Sequence, residues 1–142
     1  MFFEDFKIGL SVEIEPVKIK KCDILDFAKK YEDIPIHTDD EYAKESLFGE
    51  IIAPGVMAFM SVWAQYLKVD MYGKELLAGK SRKIEWYKPV YADDVLKGTA
   101  VVTKLTRRNE KNGIVEITMD VYNGNEELVM TGTTEAIIKC RI

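Results

Sequence analysis

One short loop, residues 31–37, carries the side chains best suited to acid–base chemistry: Glu32, Asp33 and His37, the only histidine of the chain. An imidazole titrates near neutral pH and a carboxylate can be tuned by its surroundings, so such a pair can exchange a proton with a substrate. The same spacing also suits two solvated loop acids beside a histidine that is bonded to the backbone. The spacing alone leaves both interpretations open.

A second candidate is the start of an apolar helix, which the sequence predicts from Gly55 to Leu67. Pro54 is suited to the first turn of a helix. The N–H groups of Gly55 and Val56 would have no partner within the helix and would lie at the positive end of its dipole. Such donors can stabilise negative charge that develops on a carbonyl oxygen. Ordinary helix geometry explains the same residues equally well.

Short elements must position these residues in the first half of the chain. The patterns predict a strand over 11–19, interrupted at Pro16, and then a helix over about 22–30 that Cys22 and Asp23 cap. A loop over 31–38 follows. The next helix is capped by Thr38 or Asp39 and ends near residue 49. Helix 55–67 has apolar residues on nearly every face, so other elements must cover most of it.

The second half of the chain has the pattern of an antiparallel sheet. Apolar and polar side chains alternate strictly from Val115 to Val121, which is typical of a strand with one wet face. Asn112-Gly113 and Asn123-Gly124 are turn dipeptides that accept a positive φ. Further strands are predicted over about 77–87, 94–106 and 127–139. A sheet wrapped around the helix buries the apolar face of the sheet and the apolar sides of the helix better than an open sandwich does.

Bulk composition limits the possible functions. A chain of 142 residues is the size of one domain, here predicted to span 1–142, and a net charge of -4 gives no reason to expect nucleic acid as a partner. No apolar run approaches the roughly 20 residues that span a bilayer, so we expect no membrane segment. The first residues lack the basic region of a signal peptide, and we expect a cytoplasmic protein.

Histidine and cysteine are too few for a conventional zinc site. Besides His37 the chain has only Cys22 and Cys140, which lie far apart without a metal-type spacing. We therefore expect no metal, and interpret both cysteines as buried or half-buried thiols in a reducing compartment.

The segment from residue 27 to residue 55 resembles the MaoC-like dehydratase family, which includes the (R)-specific enoyl-CoA hydratases. The matching stretches are FAKKYEDIPIHTD at 27–39, YA at 42–43, FG at 48–49 and IIAPG at 51–55. They are similar to the family pattern F-A-x-x-[GY]-D-x-x-P-x-H-x-D followed by an alanine and F-G-x-x-I-[AV]-x-G. Residues 82–94 resemble a later family stretch with P-V-x-x-G-D, but Ala92-Asp93-Asp94 replaces its glycine pattern.

The resemblance implies an α+β HotDog fold, in which an antiparallel sheet wraps around a long central helix. It implies hydration of trans-2-enoyl-CoA or dehydration of 3-hydroxyacyl-CoA. The partner would be an acyl-CoA thioester, with no cofactor except the coenzyme A of the substrate. It also implies a homodimer or a larger assembly of dimers.

Residue roles follow from the resemblance position by position. The catalytic histidine falls on His37, and the catalytic aspartate falls on Glu32, with Asp33 as the alternative one residue later. A polar residue that often precedes the proline is replaced by Ile34, which makes the pocket drier. The resemblance places the substrate-binding segment at Ile52, Ala53, Pro54, Gly55 and Val56.

Two other activities fit the same residues. HotDog thioesterases also use a carboxylate and a helix start, and would hydrolyse acyl-CoA. Replacement of the expected aspartate by Glu32 also fits a protein that binds acyl-CoA without turning it over, because the extra methylene moves the carboxylate and a displacement near 1 Å costs about 100-fold in rate.

Overall fold

The chain folds as one five-stranded antiparallel sheet with the apolar helix against it. The computed structural model describes residues 1–142. The strands are β1 (Ser11–Lys18), β2 (Leu76–Trp86), β3 (Val95–Arg107), β4 (Asn112–Tyr122) and β5 (Leu128–Lys139). The helices are α1 (Lys21–Tyr31), α2 (Pro35–Thr38), α3 (Asp40–Lys44) and α4 (Gly55–Leu67). The spatial order of strands, β1-β3-β4-β5-β2, leaves β1 and β2 at the edges.

The sheet wraps around α4, as predicted for a HotDog fold. The helix contacts β1 and β3 near one edge of the sheet. Near the other edge, Phe59 of α4 packs on β5, where a Cβ added to Gly132 would lie 2.2 Å from its ring. Alternation buries Val115, Ile117 and their neighbours on β4 in the core beneath the helix. The α+β class and the wrapped arrangement are therefore confirmed.

One stripe of α4 is not covered. Val56, Met60 and Leu67 are 43%, 39% and 45% exposed, although the sequence predicts cover on most faces. They lie on the side of the helix toward β2, where Arg82 contacts Met60. None of the helices is long and apolar enough to cross a bilayer.

The connection between β3 and β4 differs from its prediction. Asn112 and Gly113 lie in β4, and the turn precedes them, because the side chain of Asn109 accepts N–H groups from Lys111 and Asn112 at 2.7 and 3.0 Å. Gly113 instead leaves room for the ring of Phe3, which would lie 2.5 Å from an added Cβ.

The connection between β4 and β5 forms where it is predicted, but with a different residue in the left-handed region. Its positive φ, 60°, belongs to Glu126 and not to Gly124. The side chain of Asn123 accepts the N–H groups of Asn125 and Glu127 and so holds this turn together.

The segments around the candidate loop also differ in detail. Residues 35–38, predicted as loop, form α2 because Pro35 begins its first turn. The next helix is capped by Asp39, as predicted, but ends at Lys44 and not near residue 49.

The start of α1 is one residue earlier than predicted. The helix begins at Lys21, no side chain caps it, and Asp23 lies in its first turn. Cys22 is exposed on the helix surface, so the prediction of a buried or half-buried thiol is wrong for Cys22, whereas Cys140 is buried. The irregularity predicted at Pro16 is present as a shift in β1 pairing between Ile14 and Val17.

Candidate active site

His37 is buried and held in one orientation. It lies in α2, is 6% exposed, and its Nδ1 is 2.7 Å from the carbonyl oxygen of Ile52. Because a carbonyl oxygen can only accept, Nδ1 must donate, which fixes the ring and leaves Nε2 for other chemistry. Nε2 lies 3.4 Å from Oε2 of Glu32.

The contact between Glu32 and His37 suits proton transfer. A proton between Nε2 and the carboxyl group can reside on either, as imidazolium beside carboxylate or as imidazole beside carboxylic acid. The pair can therefore accept a proton from one atom and deliver it to another. The side chain of Glu32 is 44% exposed, whereas that of His37 is 8% exposed, so the carboxyl group is the more accessible partner.

Glu32, and not Asp33, lies beside His37. The N–H of Glu32 donates to the carbonyl oxygen of Ala28 at 2.8 Å, which continues the hydrogen bonds of α1 by one residue. The N–H of Ile34 then donates to the carbonyl oxygen of Glu32 at 2.8 Å. This second bond closes a three-residue turn with Asp33 at its centre. The Asp33 side chain is exposed and does not line the cleft, so Glu32 is the candidate acid in this arrangement.

The start of α4 is fixed by a short antiparallel contact. Ile52 pairs with Tyr91, and the N–H of Ala53 donates to Val90 at 2.7 Å. The hydroxyl of Tyr91 donates to the carbonyl oxygen of Phe48 at 3.1 Å. This contact holds the residues before α4 against the chain that follows β2.

Gly55 and Val56, at the start of the helix, line a cleft of about 450 Å³. The N–H groups of Gly55 and Val56 make no backbone hydrogen bond. Of the predicted site residues, the structure brings six together in the cleft: Glu32, His37, Ile52, Ala53, Gly55 and Val56. Pro54 is buried behind this surface and does not line it. Acid, imidazole and amide donors thus share one cavity.

The sequence profile of the MaoC-like domain family matches residues 5–124. The chain belongs to this family. An uncharacterised protein of Bacillus subtilis (strain 168), YdeM, is 31% identical over 141 residues, which are 98% of this chain and 99% of that protein.

Two solved structures show how closely the fold of this MaoC-like protein is shared. An Archaeoglobus protein described as a monoamine oxidase regulatory protein has a TM-score of 0.94 at 28% identity, covering 100% of this chain and 96% of its own. An (R)-hydratase from A. caviae involved in PHA biosynthesis has a TM-score of 0.75 at 23% identity, covering 97% and 99%.

Trp86, the last residue of β2, also lines the cleft of this MaoC-like protein, although the sequence did not indicate it as a site residue. A Cβ added to Gly55 would lie 2.4 to 2.7 Å from its indole ring, so Gly55 is needed for the packing of Trp86. The available signal was the aromatic pair Trp86-Tyr87 ahead of Lys88-Pro89.

Lys88 and hydrophobic neighbours complete the cleft beside Trp86. Nζ of Lys88 is 2.6 Å from Oε2 of Glu127, and this hydrogen bond holds the pKa of Glu127 below its ordinary value. Ile34 also lines the cleft, with its side chain partly exposed.

Asp93 occupies the position at which the family pattern has glycine. It has a φ of 71°, in the left-handed region that glycine adopts without a steric penalty. The neighbouring Asp94 accepts the N–H of Tyr91 at 2.8 Å through Oδ2, which secures the turn. Asp93 therefore adopts a backbone conformation that glycine would adopt without strain.

Proposed function

We propose that the protein is a hydro-lyase that adds water to trans-2-enoyl-CoA or removes it from 3-hydroxyacyl-CoA. The observation that carries the proposal is the Glu32–His37 contact in a cleft that also contains the donor-rich start of α4. Membership of the MaoC-like family supports a hydro-lyase, and the (R)-hydratase with the same fold supports this reaction type.

The thioester carbonyl would bind at the start of α4. Hydrogen bonds from the N–H groups of Gly55 and Val56 would draw electrons toward the carbonyl oxygen, which makes the β-carbon electrophilic. The same donors would stabilise the enolate that forms when the β-carbon is attacked. Because these donors are fixed by the backbone, they need no rearrangement as the charge develops.

Glu32 and His37 would handle both protons. The oxygen of water forms a bond to the β-carbon while one of its protons passes to the pair, and the pair delivers a proton to the α-carbon. The net change adds H and OH across the double bond, and the reverse removes them. No electron is gained or lost, so the reaction needs no redox cofactor, and coenzyme A enters only as part of the substrate.

We also propose that the protein is a homodimer, or an assembly of dimers, joined at β2. This strand pairs only with β5 and presents an open edge, and the apolar stripe Val56, Met60 and Leu67 lies beside it. An unpaired edge next to apolar surface is a common site of association. Multi-angle light scattering that gives a monomer at micromolar concentration would contradict this assembly.

The reaction can be tested with purified protein and short and long enoyl-CoA substrates. We expect loss of absorbance from the conjugated thioester, and a drop of about 100-fold or more in kcat for His37→Ala, because general acid–base catalysis contributes that much. An unchanged melting temperature would show that the variant is folded. Absence of turnover by the wild type, or full turnover by the variant, contradicts the proposal.

Two further readouts separate the alternatives. Release of free thiol from a saturated acyl-CoA indicates a thioesterase. A rise in melting temperature with acyl-CoA, without any product, indicates a protein that only binds it, since a ligand of the folded state stabilises that state. The glutamate at position 32 and the apolar Ile34 favour this binding function over the thioesterase.

A further inference from the structure

Trp86 enters the cleft from β2 at the point where this strand ends. Its backbone pairs with Met130 of β5, and the N–H of the next residue, Tyr87, donates to a carbonyl oxygen of β5 at 2.8 Å. Side chains alternate along a strand, so Trp86 points to the same side as Arg82, which contacts α4. The strand pairing therefore places the indole ring at the start of α4.

The nitrogen side of the indole ring faces Gly55. A Cβ added to Gly55 would meet Cε2, Nε1 and Cζ2 of Trp86 first, and Nε1 would lie 2.6 Å from it. The N–H groups of Gly55 and Val56, which make no backbone hydrogen bond, begin at the same point of the helix. Nε1 is therefore beside the position at which these amides would bind an oxygen atom.

Nε1 of Trp86 has a proton to donate and no acceptor within the chain. The nitrogen of an indole ring can only donate. The side-chain hydrogen bonds at this end of β2 join Tyr87 to Glu85 and Lys88 to Glu127, and neither uses Nε1. Trp86 is 44% exposed and lines the cleft, so a ligand in the cleft can contact the ring.

We propose that Trp86 is a catalytic residue, whose Nε1 donates a third hydrogen bond to the thioester oxygen; this inference rests on the proposed hydro-lyase reaction. Negative charge grows on that oxygen as the enolate forms, and donors aimed at it stabilise the transition state more than the substrate. Gly55 then has two functions. Its amide is one donor, and its missing Cβ leaves room for the ring that carries another.

The test replaces Trp86 by phenylalanine, which keeps an aromatic ring beside Gly55 but has no N–H. We expect Trp86→Phe to lower kcat for enoyl-CoA hydration at least about tenfold with a smaller change in KM, because the lost hydrogen bond is strongest to the developing charge. Trp63→Phe makes the same chemical change farther along α4, outside the cleft, and should leave both constants unchanged. Equal melting temperatures would show that the variants are folded.

A second readout measures the polarisation of the thioester before any turnover. Hydrogen bonds that draw electrons toward the thioester oxygen move the absorption of a conjugated thioester to longer wavelength. Hexadienoyl-CoA, recorded by stopped flow directly after mixing, should show this shift with the wild type and with Trp63→Phe. The shift should be clearly smaller with Trp86→Phe.

The two readouts separate this inference from the proposed reaction. An absorption shift that Trp86→Phe loses, in a protein that does not hydrate enoyl-CoA, supports the third donor and contradicts the hydro-lyase. An unchanged kcat together with an unchanged shift in Trp86→Phe overturns the third donor and leaves the hydro-lyase in place. A wild type that does not bind hexadienoyl-CoA overturns both.

Discussion

Strands β4 and β2 each contain 11 residues, but they differ completely in burial. Along β4 every second side chain is buried, because β3 and β5 flank the strand and α4 covers one face. Along β2 no residue is fully buried, and only Ile84 is half-buried. The covered strand supplies the core, whereas the cleft at His37 is lined by the last residue of the uncovered one, Trp86.

This difference separates stability from ligand binding within one sheet. An alternating strand with neighbours on both sides leaves no room for a ligand. A strand at the edge keeps one side open, here for the cleft at Trp86 and for the second copy proposed above. We therefore expect substitutions of the covered strands to change unfolding, and substitutions of β2 to change substrate binding or the association of two copies.

The largest effect on stability should come from a methyl group on the covered side. Gly132→Ala on β5 places a Cβ 2.2 Å from the ring of Phe59, so the helix or the strand must shift. We expect a loss of about 1–3 kcal/mol in the free energy of unfolding, measured by urea denaturation.

The matched control is Gly79→Ala on β2, where no atom lies within 4 Å of the added Cβ. Alanine restricts the unfolded chain more than glycine does, so this variant should be as stable as the wild type or more stable by up to about 1 kcal/mol. Equal destabilisation by the two variants would show that β2 is packed as tightly as β5.

A smaller effect is expected in the turn that leads from β2 to β3. Asp93→Gly removes the steric cost of a φ of 71° and should raise the free energy of unfolding by about 0.5–1 kcal/mol. The gain is limited because Oδ1 of Asp93 also lies 3.6 Å from Nζ of Lys18, in an exposed pair that contributes little. A destabilised variant would indicate that this pair outweighs the backbone strain.

The sequence patterns predicted those structural features that depend on residues close together along the chain. Alternation located β4, and the apolar run from Gly55 located α4 with its bounds, because burial follows from the period of the side chains. Residue types and spacing drew attention to Glu32 and His37 in one short segment, but left open whether they do chemistry. The family resemblance supplied the position of the expected acid.

Contacts between distant residues were not predictable in this way. Trp86 packs on Gly55, 31 residues earlier, and nothing in the local pattern of either indicates it. Gly113 leaves room for the ring of Phe3 and does not form a turn, and the local sequence of neither residue indicates this contact. The choice between Glu32 and Asp33 depends on the turn at Asp33, which requires the backbone geometry after α1.

The most direct test of the site compares Glu32→Gln with Asp33→Asn in the enoyl-CoA hydration assay. Each variant removes one negative charge with little change in shape, one residue apart. We expect Glu32→Gln to lower kcat by about 100-fold or more, because the proton partner of His37 is lost, and Asp33→Asn to leave it unchanged. Loss of activity in Asp33→Asn with full activity in Glu32→Gln would contradict the arrangement of acid and imidazole described above.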